Sequence, residues 1–302
     1  MPHSRRFRFS IQSGGASLHG WRDFACQVED LGFAVLAVPD HFNRQLSPLL
    51  ALLEAAHVTT NLRLAPVVLD NDYRHPAVVA KEAATLDVLS GGRLEFGFGA
   101  GWMERDYQQS GIPFDPPGVR LARFIEAVAV CKQFFRQDTV TFDGVYYQVR
   151  DLPAFPKPAQ AHLPFMIGAR NRRMLRFAAR EADIVAIANS RPAPDGLPPT
   201  FAEKVGWVRE AAAERYPDIE LHAMVFDLEI TDRPKDALER VSRERQLPVE
   251  YVTATPATLV GSINGIIEQL LAWRETYDVS YYVFAERQLE EAAPIVKALA
   301  GQ

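Results

Sequence analysis

The chain has 302 residues, is 48% hydrophobic and carries a formal charge of −5. This length can bury a large core, and an acidic balance without a basic stretch argues against nucleic acid as a partner. No apolar run approaches the roughly 20 residues of a membrane span, so we expect no membrane association.

Strand-like and helix-like runs alternate along the whole sequence. The predicted strands are 7–11, 35–38, 62–69, 93–98, 163–167, 184–188, 221–228 and 280–284. The predicted helices are 21–31, 48–59, 76–89, 119–135, 170–182, 201–216 and 262–277. This order is typical of parallel βα units, and the length suits a TIM (β/α)8 barrel that forms one α/β domain over residues 1–302. A doubly wound open sheet is the structural alternative.

Three stretches interrupt the alternation, at 138–162, 190–200 and 231–258, and we interpret them as insertions. The first contains a predicted hairpin over 140–149 that turns at Asp143-Gly144, a favoured tight-turn pair. The second has four prolines and a glycine between residues 190 and 199, which indicates an extended loop. The third begins with a charged helical pattern at 234–245. Long loops in a compact fold usually carry function, so we expect the last two to shape a substrate pocket.

Two cysteines, Cys26 and Cys131, each fall within a helical pattern. They are expected to be small reduced core residues of a cytoplasmic protein rather than a disulfide. The sequence has no cluster of metal ligands, so no metal site is predicted.

Glycine alternates with other residues at the end of the fourth predicted strand, at Gly97, Gly99 and Gly101. Successive strand residues point to opposite faces, so one face carries no side chains there. The other face carries Leu94, Phe96 and Phe98, which would pack under a helix. Glycine in a strand often marks a close approach to the backbone, and we interpret the ladder as a seat for a flat cofactor.

The second predicted strand ends in Asp40-His41, at the strand end where βα barrels place their active sites. Histidine suits proton transfer near neutral pH, and the adjacent carboxylate could fix its tautomer. Equally, Asp40 could cap the following turn and His41 could be a polar loop residue.

The third predicted strand ends in a dense polar turn, Asp70-Asn71-Asp72-Tyr73-Arg74-His75-Pro76. Backbone amides and Arg74 could face an anionic or ring-shaped ligand there. In the structural alternative, Asp72 belongs to the start of the next helix, Arg74 is solvated, and His75, restricted by the following proline, is structural.

The fifth predicted strand runs into a helix through Gly168-Ala169-Arg170-Asn171-Arg172-Arg173. A helix start offers unpaired amides and a positive dipole end, so an anionic ligand would offset the cost of three arginines there. This favours a phosphate site over a solvated helix face. No dinucleotide or nucleotide fingerprint occurs elsewhere.

Several of these motifs occur together in the sequences of one known protein family. Val38-Pro39-Asp40-His41, the turn at 71–76, and Leu86-Asp87-Val88-Leu89-Ser90-Gly91-Gly92-Arg93 followed by the glycine ladder carry the resemblance. Over roughly residues 5–190 the chain resembles the luciferase-like monooxygenase superfamily, and more closely its branch of oxidoreductases that depend on the deazaflavin coenzyme F420.

The resemblance implies a barrel that holds a deazaflavin or flavin ring, with the cofactor phosphate near Gly99-Ala100-Gly101 and Gly168-Ala169-Arg170-Asn171. His41 would lie near the reactive carbon, oriented by Asp40. A bulge or non-proline cis bond at Leu69-Asp70-Asn71 would support the ring, which makes Asp70 and Asn71 cofactor-binding residues. The extra arginines, Arg74 among them, would suit the F420 tail. Members of the family commonly form homodimers, and we expect one here.

Two departures from the family refine this hypothesis. Sugar-phosphate dehydrogenases of the group carry a glutamate directly after the ladder, where this chain has Trp102, which favours an apolar substrate pocket with Phe42, Tyr73 and Trp102. The phosphate loop has Gly168-Ala169 where Gly-Gly is usual.

The leading hypothesis is an F420-dependent oxidoreductase that passes hydride between the deazaflavin and a small organic substrate. The alternatives are a two-component monooxygenase that uses FMN and a non-catalytic flavin-binding relative.

Overall fold

The computed structural model describes residues 5–15, 20–189 and 196–302. Its strands are β1 (Arg8–Gln12), β2 (Val35–Val38), β3 (Arg63–Pro66), β4 (Leu69–Asp70), β5 (Phe96–Gly99), β6 (Thr139–Asp143), β7 (Gln148–Pro153), β8 (Phe165–Ala169), β9 (Ile184–Ile187), β10 (Glu220–Met224), β11 (Asp227–Ile230), β12 (Thr258–Gly261) and β13 (Val279–Ala285). Its helices are α1 (Trp21–Asp30), α2 (Pro48–Val58), α3 (Pro76–Leu89), α4 (Glu104–Ser110), α5 (Pro117–Arg136), α6 (Arg172–Glu181), α7 (Phe201–Ala212), α8 (Pro234–Arg245), α9 (Val249–Thr253), α10 (Ile263–Tyr277) and α11 (Leu289–Leu299). Short 3-10 turns lie at Asn71–Tyr73, Ala213–Asp218 and Glu286–Gln288.

The strands of the described chain form one nine-stranded sheet in the order β3-β2-β1-β13-β10-β9-β8-β5-β4, beside the two small sheets β11-β12 and β6-β7. Helices separate most successive strands of the large sheet, and the pairs β1–β13, β9–β10 and β5–β8 are parallel. This is the α/β alternation that the sequence predicts.

Several predicted boundaries agree with the structure and others are wrong. The bounds 35–38, 76–89 and 234–245 are those of β2, α3 and α8. The single strand predicted over 62–69 is two strands, β3 and β4, and the strand predicted over 221–228 divides between β10 and β11. Helices α4, α9 and α11 were not predicted. Proline in the middle of a helical pattern, Pro294 in α11, obscures that pattern in the sequence.

The predicted hairpin is present as β6 and β7, but the tight turn at Asp143-Gly144 is wrong. Asp143 pairs with Gln148, so a four-residue loop joins the strands. The Glu126 carboxylate on α5 accepts hydrogen bonds from the backbone amides of Val145, Tyr146 and Tyr147 at 2.9, 2.8 and 3.1 Å. This contact from another element supports a wider turn than spacing alone suggests. Of the predicted 190–200 loop, residues 190–195 lie outside the described residues.

The chain divides into two compact units. The first unit comprises residues 1–12, 27–35 and 168–302, and its core includes Phe9, which lies 6.1–6.2 Å from Tyr282 and Phe284 between ring centroids. Residues 13–26 and 36–167 form the second unit. There the predicted apolar face is confirmed, because Phe96 contacts Phe135 and Phe98 contacts Phe124 on helix α5.

Both cysteines are thiols within helices, Cys26 half-buried in α1 and Cys131 buried in α5. Burial raises the pKa of the Cys131 thiol. Within the described part of the chain, no helix has the length and apolar character needed to cross a membrane.

Candidate active site

Polar side chains gather in the second unit where β2, β4 and β5 end. His41 lies three residues beyond β2, Asp70 is the last residue of β4, and Gly101 follows β5. The following helix, α4, adds Asp106 and Tyr107 to the same group. The sequence therefore places the start of this cluster correctly, since strand ends carry it, but it does not indicate the contribution of α4.

His41 pairs with Asp106. The His41 Nδ1 atom lies 2.7 Å from Asp106 Oδ2. The Asp106 side chain is only 2% exposed, and the His41 side chain is 18% exposed. The Tyr73 hydroxyl donates a second hydrogen bond to the same Asp106 oxygen at 3.3 Å. The carboxylate that binds the imidazole thus comes from helix α4 and lies 65 residues after His41 in the chain.

Asp40 has a different partner, which corrects the expectation that it orients His41. Arg74 donates to both Asp40 oxygens, at 2.7 and 3.3 Å, and the Asp70 amide donates to Asp40 at 3.1 Å. Adjacency in sequence therefore does not make Asp40 the partner of the imidazole. Arg74 therefore binds a carboxylate of its own chain and is not simply a solvated side chain.

Of the three aromatic residues predicted for a substrate pocket, Trp102 contacts the imidazole, and Phe42 contacts Tyr73. The Trp102 ring meets the His41 ring edge-on at 5.7 Å between centroids, and Phe42 lies 4.7 Å from Tyr73. Phe42 is 53% exposed and Trp102 is 45% exposed. Large apolar surfaces that stay exposed next to a buried polar pair are typical of a binding site for an apolar molecule.

Asp70 lies in a buried hydrogen-bond network beside this group. Its side chain accepts from the Asp72 amide at 2.9 Å and from the Tyr107 hydroxyl at 3.0 Å. Burial, with the negative charge of Asp72 as a further cause, raises the pKa of the Asp70 carboxyl to about 7. Tyr107 also contacts Asp72 at 3.0 Å, and Arg123 binds Asp72 at 2.8 Å. Burial near these carboxylates raises the pKa of Tyr107, so its hydroxyl remains a donor.

Asn71 and His75 have structural contacts in the same turn. Asn71 is buried, and its amide nitrogen donates to the Tyr147 hydroxyl at 3.1 Å. His75 Nδ1 accepts from the Ala77 amide at 3.2 Å and so caps helix α3, the structural role that the sequence favours.

Other residues of the protein occupy the space beside the glycine ladder. A methyl group on Gly97 would lie 1.9 Å from the Pro66 carbonyl oxygen, and one on Gly99 would lie 2.7 Å from the Val68 side chain. At Gly101 it would lie 1.8 Å from the Tyr107 hydroxyl oxygen. The space beside this strand therefore seats residues 66–70 and Tyr107, not an open cavity, which corrects the interpretation of the ladder as a direct ring seat.

A non-proline cis peptide bond joins Val67 and Val68. The family resemblance implies a bulge or such a bond at Leu69-Asp70-Asn71, so the feature is present but begins two residues earlier. Leu69 and Asp70 themselves form β4, paired with Phe98 and Gly99.

The predicted phosphate loop lies in the first unit. Gly168 and Ala169 end β8, Arg170 is half-buried, and Asn171 precedes α6 without capping it through its side chain. Arg172 lies on the exposed surface, 3.6 Å from Glu210. The sequence singled out these residues correctly as a basic helix start.

A lysine missed by the sequence analysis lies beside this loop. The Ala188 amide donates to the Ala169 carbonyl at 2.8 Å, and the Lys204 ammonium donates to the Ala188 carbonyl at 2.7 Å. Lys204 is 2% exposed. Burial, and next the positive charge of Arg170, lowers the pKa of Lys204 to about 8.

Across residues 5–15, 20–189 and 196–302, no group of three or more His, Cys, Asp or Glu side chains is arranged to hold a metal ion.

The model of one protein family, described as luciferase-like monooxygenase, matches residues 4–254. The chain belongs to this family. The expected family resemblance is thereby confirmed.

Among curated proteins, the chain is 32% identical over 169 residues to an F420-dependent glucose-6-phosphate dehydrogenase from Kineococcus radiotolerans, covering 53% of this chain and 50% of that protein. It is 33% identical over 166 residues to a 5,10-methylenetetrahydromethanopterin reductase from Archaeoglobus fulgidus, covering 55% and 48%. The chain thus spans about half the length of the curated relatives it matches.

Solved structures show the fold. A coenzyme F420 dependent tetrahydromethanopterin reductase from Methanopyrus kandleri has a TM-score of 0.78 at 22% identity and covers 98% of this chain and 99% of that one. A long-chain alkane monooxygenase has a TM-score of 0.77 at 14% identity, with coverage of 98% and 91%. The luciferase-like TIM-barrel fold predicted from the sequence is confirmed.

Asp106, Tyr107 and Arg123 were also not predicted as site residues. Asp106 and Tyr107 lie on α4, which is only seven residues long and shows no apolar periodicity, whereas Arg123 lies on the predicted helix α5 without a motif that marks it. An acidic and an aromatic residue side by side, shortly after a glycine ladder, are the clue that the sequence offers.

Proposed function

We propose that the protein is an F420-dependent oxidoreductase that transfers hydride between the deazaflavin and a small organic substrate. The observation that carries the proposal is the His41 imidazole, which is bound to a buried carboxylate at 2.7 Å and flanked edge-on by Trp102. Such an imidazole can take up or release one proton at its remaining nitrogen, which is the step that a hydride transfer to or from an alcohol, carbonyl or imine requires.

The residues present fit the cofactor in two respects. In the second unit, Phe42 and Trp102 leave about half of their surface exposed, which suits contact with a planar ring. In the first unit, Lys204 and Arg170 supply positive charge beside Gly168, Ala169 and Asn171, which suits a phosphate. The similarity to an F420-dependent glucose-6-phosphate dehydrogenase supports the choice of this cofactor.

Bound there, the deazaflavin would supply the hydride chemistry. His41 would exchange the substrate's proton, and Asp40, held by Arg74, would fix the Asp70 amide and so the polar turn. Asp70, Asn71 and Ala100 are proposed to line the cofactor site, and Gly99 and Gly101 to support it indirectly by leaving room for residues 66–70 and Tyr107.

The substrate is proposed to be apolar near the reacting carbon. Trp102 stands where sugar-phosphate dehydrogenases of the group have a glutamate, and its ring covers one edge of His41. Phe42 and Tyr73 extend the aromatic surface. This set of side chains favours neutral unsaturated carbonyls, imines and secondary alcohols over a phosphorylated sugar.

The cofactor is tested by titrating the purified protein with F420 and with FMN and following fluorescence. Selective binding of F420 supports the proposal. Preference for FMN, together with oxygen consumption that depends on reduced FMN, would favour the monooxygenase alternative instead. Binding of neither would remove the proposed function.

His41 is tested by His41→Ala, with His57→Ala as the matched control. His57 is an exposed histidine on α2, so its replacement should leave turnover unchanged. We expect His41→Ala to lower turnover about 100-fold while the F420 dissociation constant changes little. Equal activity of the two variants would contradict a proton-transfer role. Binding of the cofactor without turnover in the wild-type protein would favour a non-catalytic relative. The homodimer expected from the family stays a prediction.

A further inference from the structure

The hydrogen bonds around Asp106 define the protonation of its neighbours. One oxygen, Oδ2, lies 2.7 Å from His41 Nδ1 and 3.3 Å from the Tyr73 hydroxyl oxygen. An ionised carboxylate only accepts hydrogen bonds, so both neighbours must donate. Burial near carboxylates raises the pKa of Tyr73, so its hydroxyl keeps the proton that it donates. Beside an ionised Asp106, a neutral His41 ring would therefore carry its proton on Nδ1.

We propose that Asp106 is a positioning residue that holds His41 as the Nδ1–H tautomer and thereby makes Nε2 the nitrogen that exchanges the substrate's proton. This inference rests on the proposed function and deepens it. In the oxidation of an alcohol, the carbon–hydrogen bond would break with its electron pair, and the oxidised deazaflavin, when bound, would supply the hydride acceptor. The hydroxyl proton passes to Nε2, and the carbon–oxygen double bond forms. In the reverse direction Nε2 returns the proton.

The position of Asp106 also stabilises the charge that this step creates. Protonation at Nε2 turns the imidazole into an imidazolium, and the Asp106 carboxylate at 2.7 Å already faces its Nδ1–H. Because the Asp106 side chain is 2% exposed, water screens this pair little. Asp40 cannot serve in its place, since its oxygens are bound by Arg74 and by the Asp70 amide.

The tautomer can be measured in the protein without cofactor. In protein labelled with ¹⁵N at histidine, the His41 resonances are assigned by their loss in His41→Gln. At a pH where the ring is neutral, we expect a protonated, pyrrole-type signal for Nδ1 and a pyridine-type signal for Nε2. In Asp106→Asn the asparagine amide can donate to Nδ1, so the two signal types should exchange positions. An Nε2–H tautomer in the wild-type protein would overturn the inference, whatever the enzyme's activity.

Kinetic measurements separate a role of Asp106 in positioning His41 from a role in binding F420. Asp106→Asn should lower kcat about 10²–10⁴-fold, because it presents the wrong nitrogen, while the F420 dissociation constant stays within two-fold. Asp106→Glu should recover part of kcat. Glu104→Gln is the control, since it removes one negative charge from the exposed side of the same helix and should keep the wild-type rate.

The outcomes distinguish this inference from the proposed function. Wild-type kcat in Asp106→Asn would overturn the positioning role while leaving F420 dependence intact. Failure of the wild-type protein to bind F420 would remove the proposed function, yet the ¹⁵N spectra would still report the tautomer. If Asp106→Asn does not fold, the wild-type spectrum alone decides.

Discussion

Gly101 and Tyr107 are packed so closely that a methyl group on Gly101 would lie 1.8 Å from the Tyr107 hydroxyl oxygen and 2.6 Å from the Asp70 carboxylate. Gly101 also has φ = +71°, a conformation that other residues rarely adopt. This contact joins the end of β5 to the network around Asp70. It makes the third glycine of the ladder a packing requirement of the protein's own side chains.

We therefore expect Gly101→Ala to lower the free energy of unfolding by about 2–4 kcal/mol, through both overpacking and backbone strain. Gly111→Ala is the matched control, because Gly111 has φ = +75° with no atom within 4 Å of an added methyl group. It should cost about 1 kcal/mol from the backbone alone. Urea unfolding of both variants measures the difference, and equal losses would contradict the packing argument.

The Asp70 carboxyl should make stability depend on pH. Its pKa rises from 3.8 to about 7 on folding, so between these values the folded protein keeps a proton that the unfolded chain has released. The Asp70 contribution to the free energy of unfolding is fully present below pH 4, falls as the pH rises through this window, and is gone above about pH 7.

Urea unfolding of the wild-type protein and of Asp70→Asn, from pH 5 to pH 8, measures this contribution. Relative to the variant, the wild-type protein should lose on the order of 2 kcal/mol between pH 5 and pH 7. Asparagine keeps an oxygen that can accept from the Asp72 amide, so the comparison isolates ionisation. A difference that stays constant across this range would show that Asp70 is ionised in the folded protein throughout.

The Asp40–Arg74 pair should contribute to stability chiefly because Asp40 is buried. Arg74→Met leaves that carboxylate without its cation and should lower the free energy of unfolding by about 2–4 kcal/mol. Adding Asp40→Asn should restore part of the loss, since the uncompensated charge is gone. Arg22→Met, at the exposed Arg22–Glu54 pair, should leave the unfolding midpoint unchanged. Additive losses in the double variant would contradict coupling between Asp40 and Arg74.

Lys204 should contribute to affinity for the cofactor's phosphate and not for its ring. We expect Lys204→Met to weaken F420 binding about 10-fold, the loss of one charge-assisted contact. Binding of 8-hydroxy-5-deazariboflavin, which has the same ring without phosphate, should stay within two-fold. Lys235→Met, an exposed lysine on α8, serves as the control. Equal loss for both ligands would indicate a change in folding, which the unfolding midpoint would reveal.

Local patterns predicted much of the fold because they reflect local physics. The alternation of short strand-like runs with longer helix-like runs located β2, α3 and α8 within their observed bounds, and glycine parity placed Phe96 and Phe98 on the face that packs against α5. The family motifs follow from short contiguous stretches, which a sequence displays directly. Helices α4 and α11 escaped because one is too short for a periodic signal and the other contains a proline.

The sequence by itself determined the parallel βα fold and the strand ends at which the polar cluster lies. Only the tertiary structure decided which partners the residues of that cluster have. His41 pairs with Asp106, 65 residues away, rather than with Asp40 beside it, and the space beside the glycine ladder is occupied by residues 66–70 and Tyr107. The physical reason is that hydrogen bonds and close packing join side chains that face one another in space, whatever their separation in the sequence.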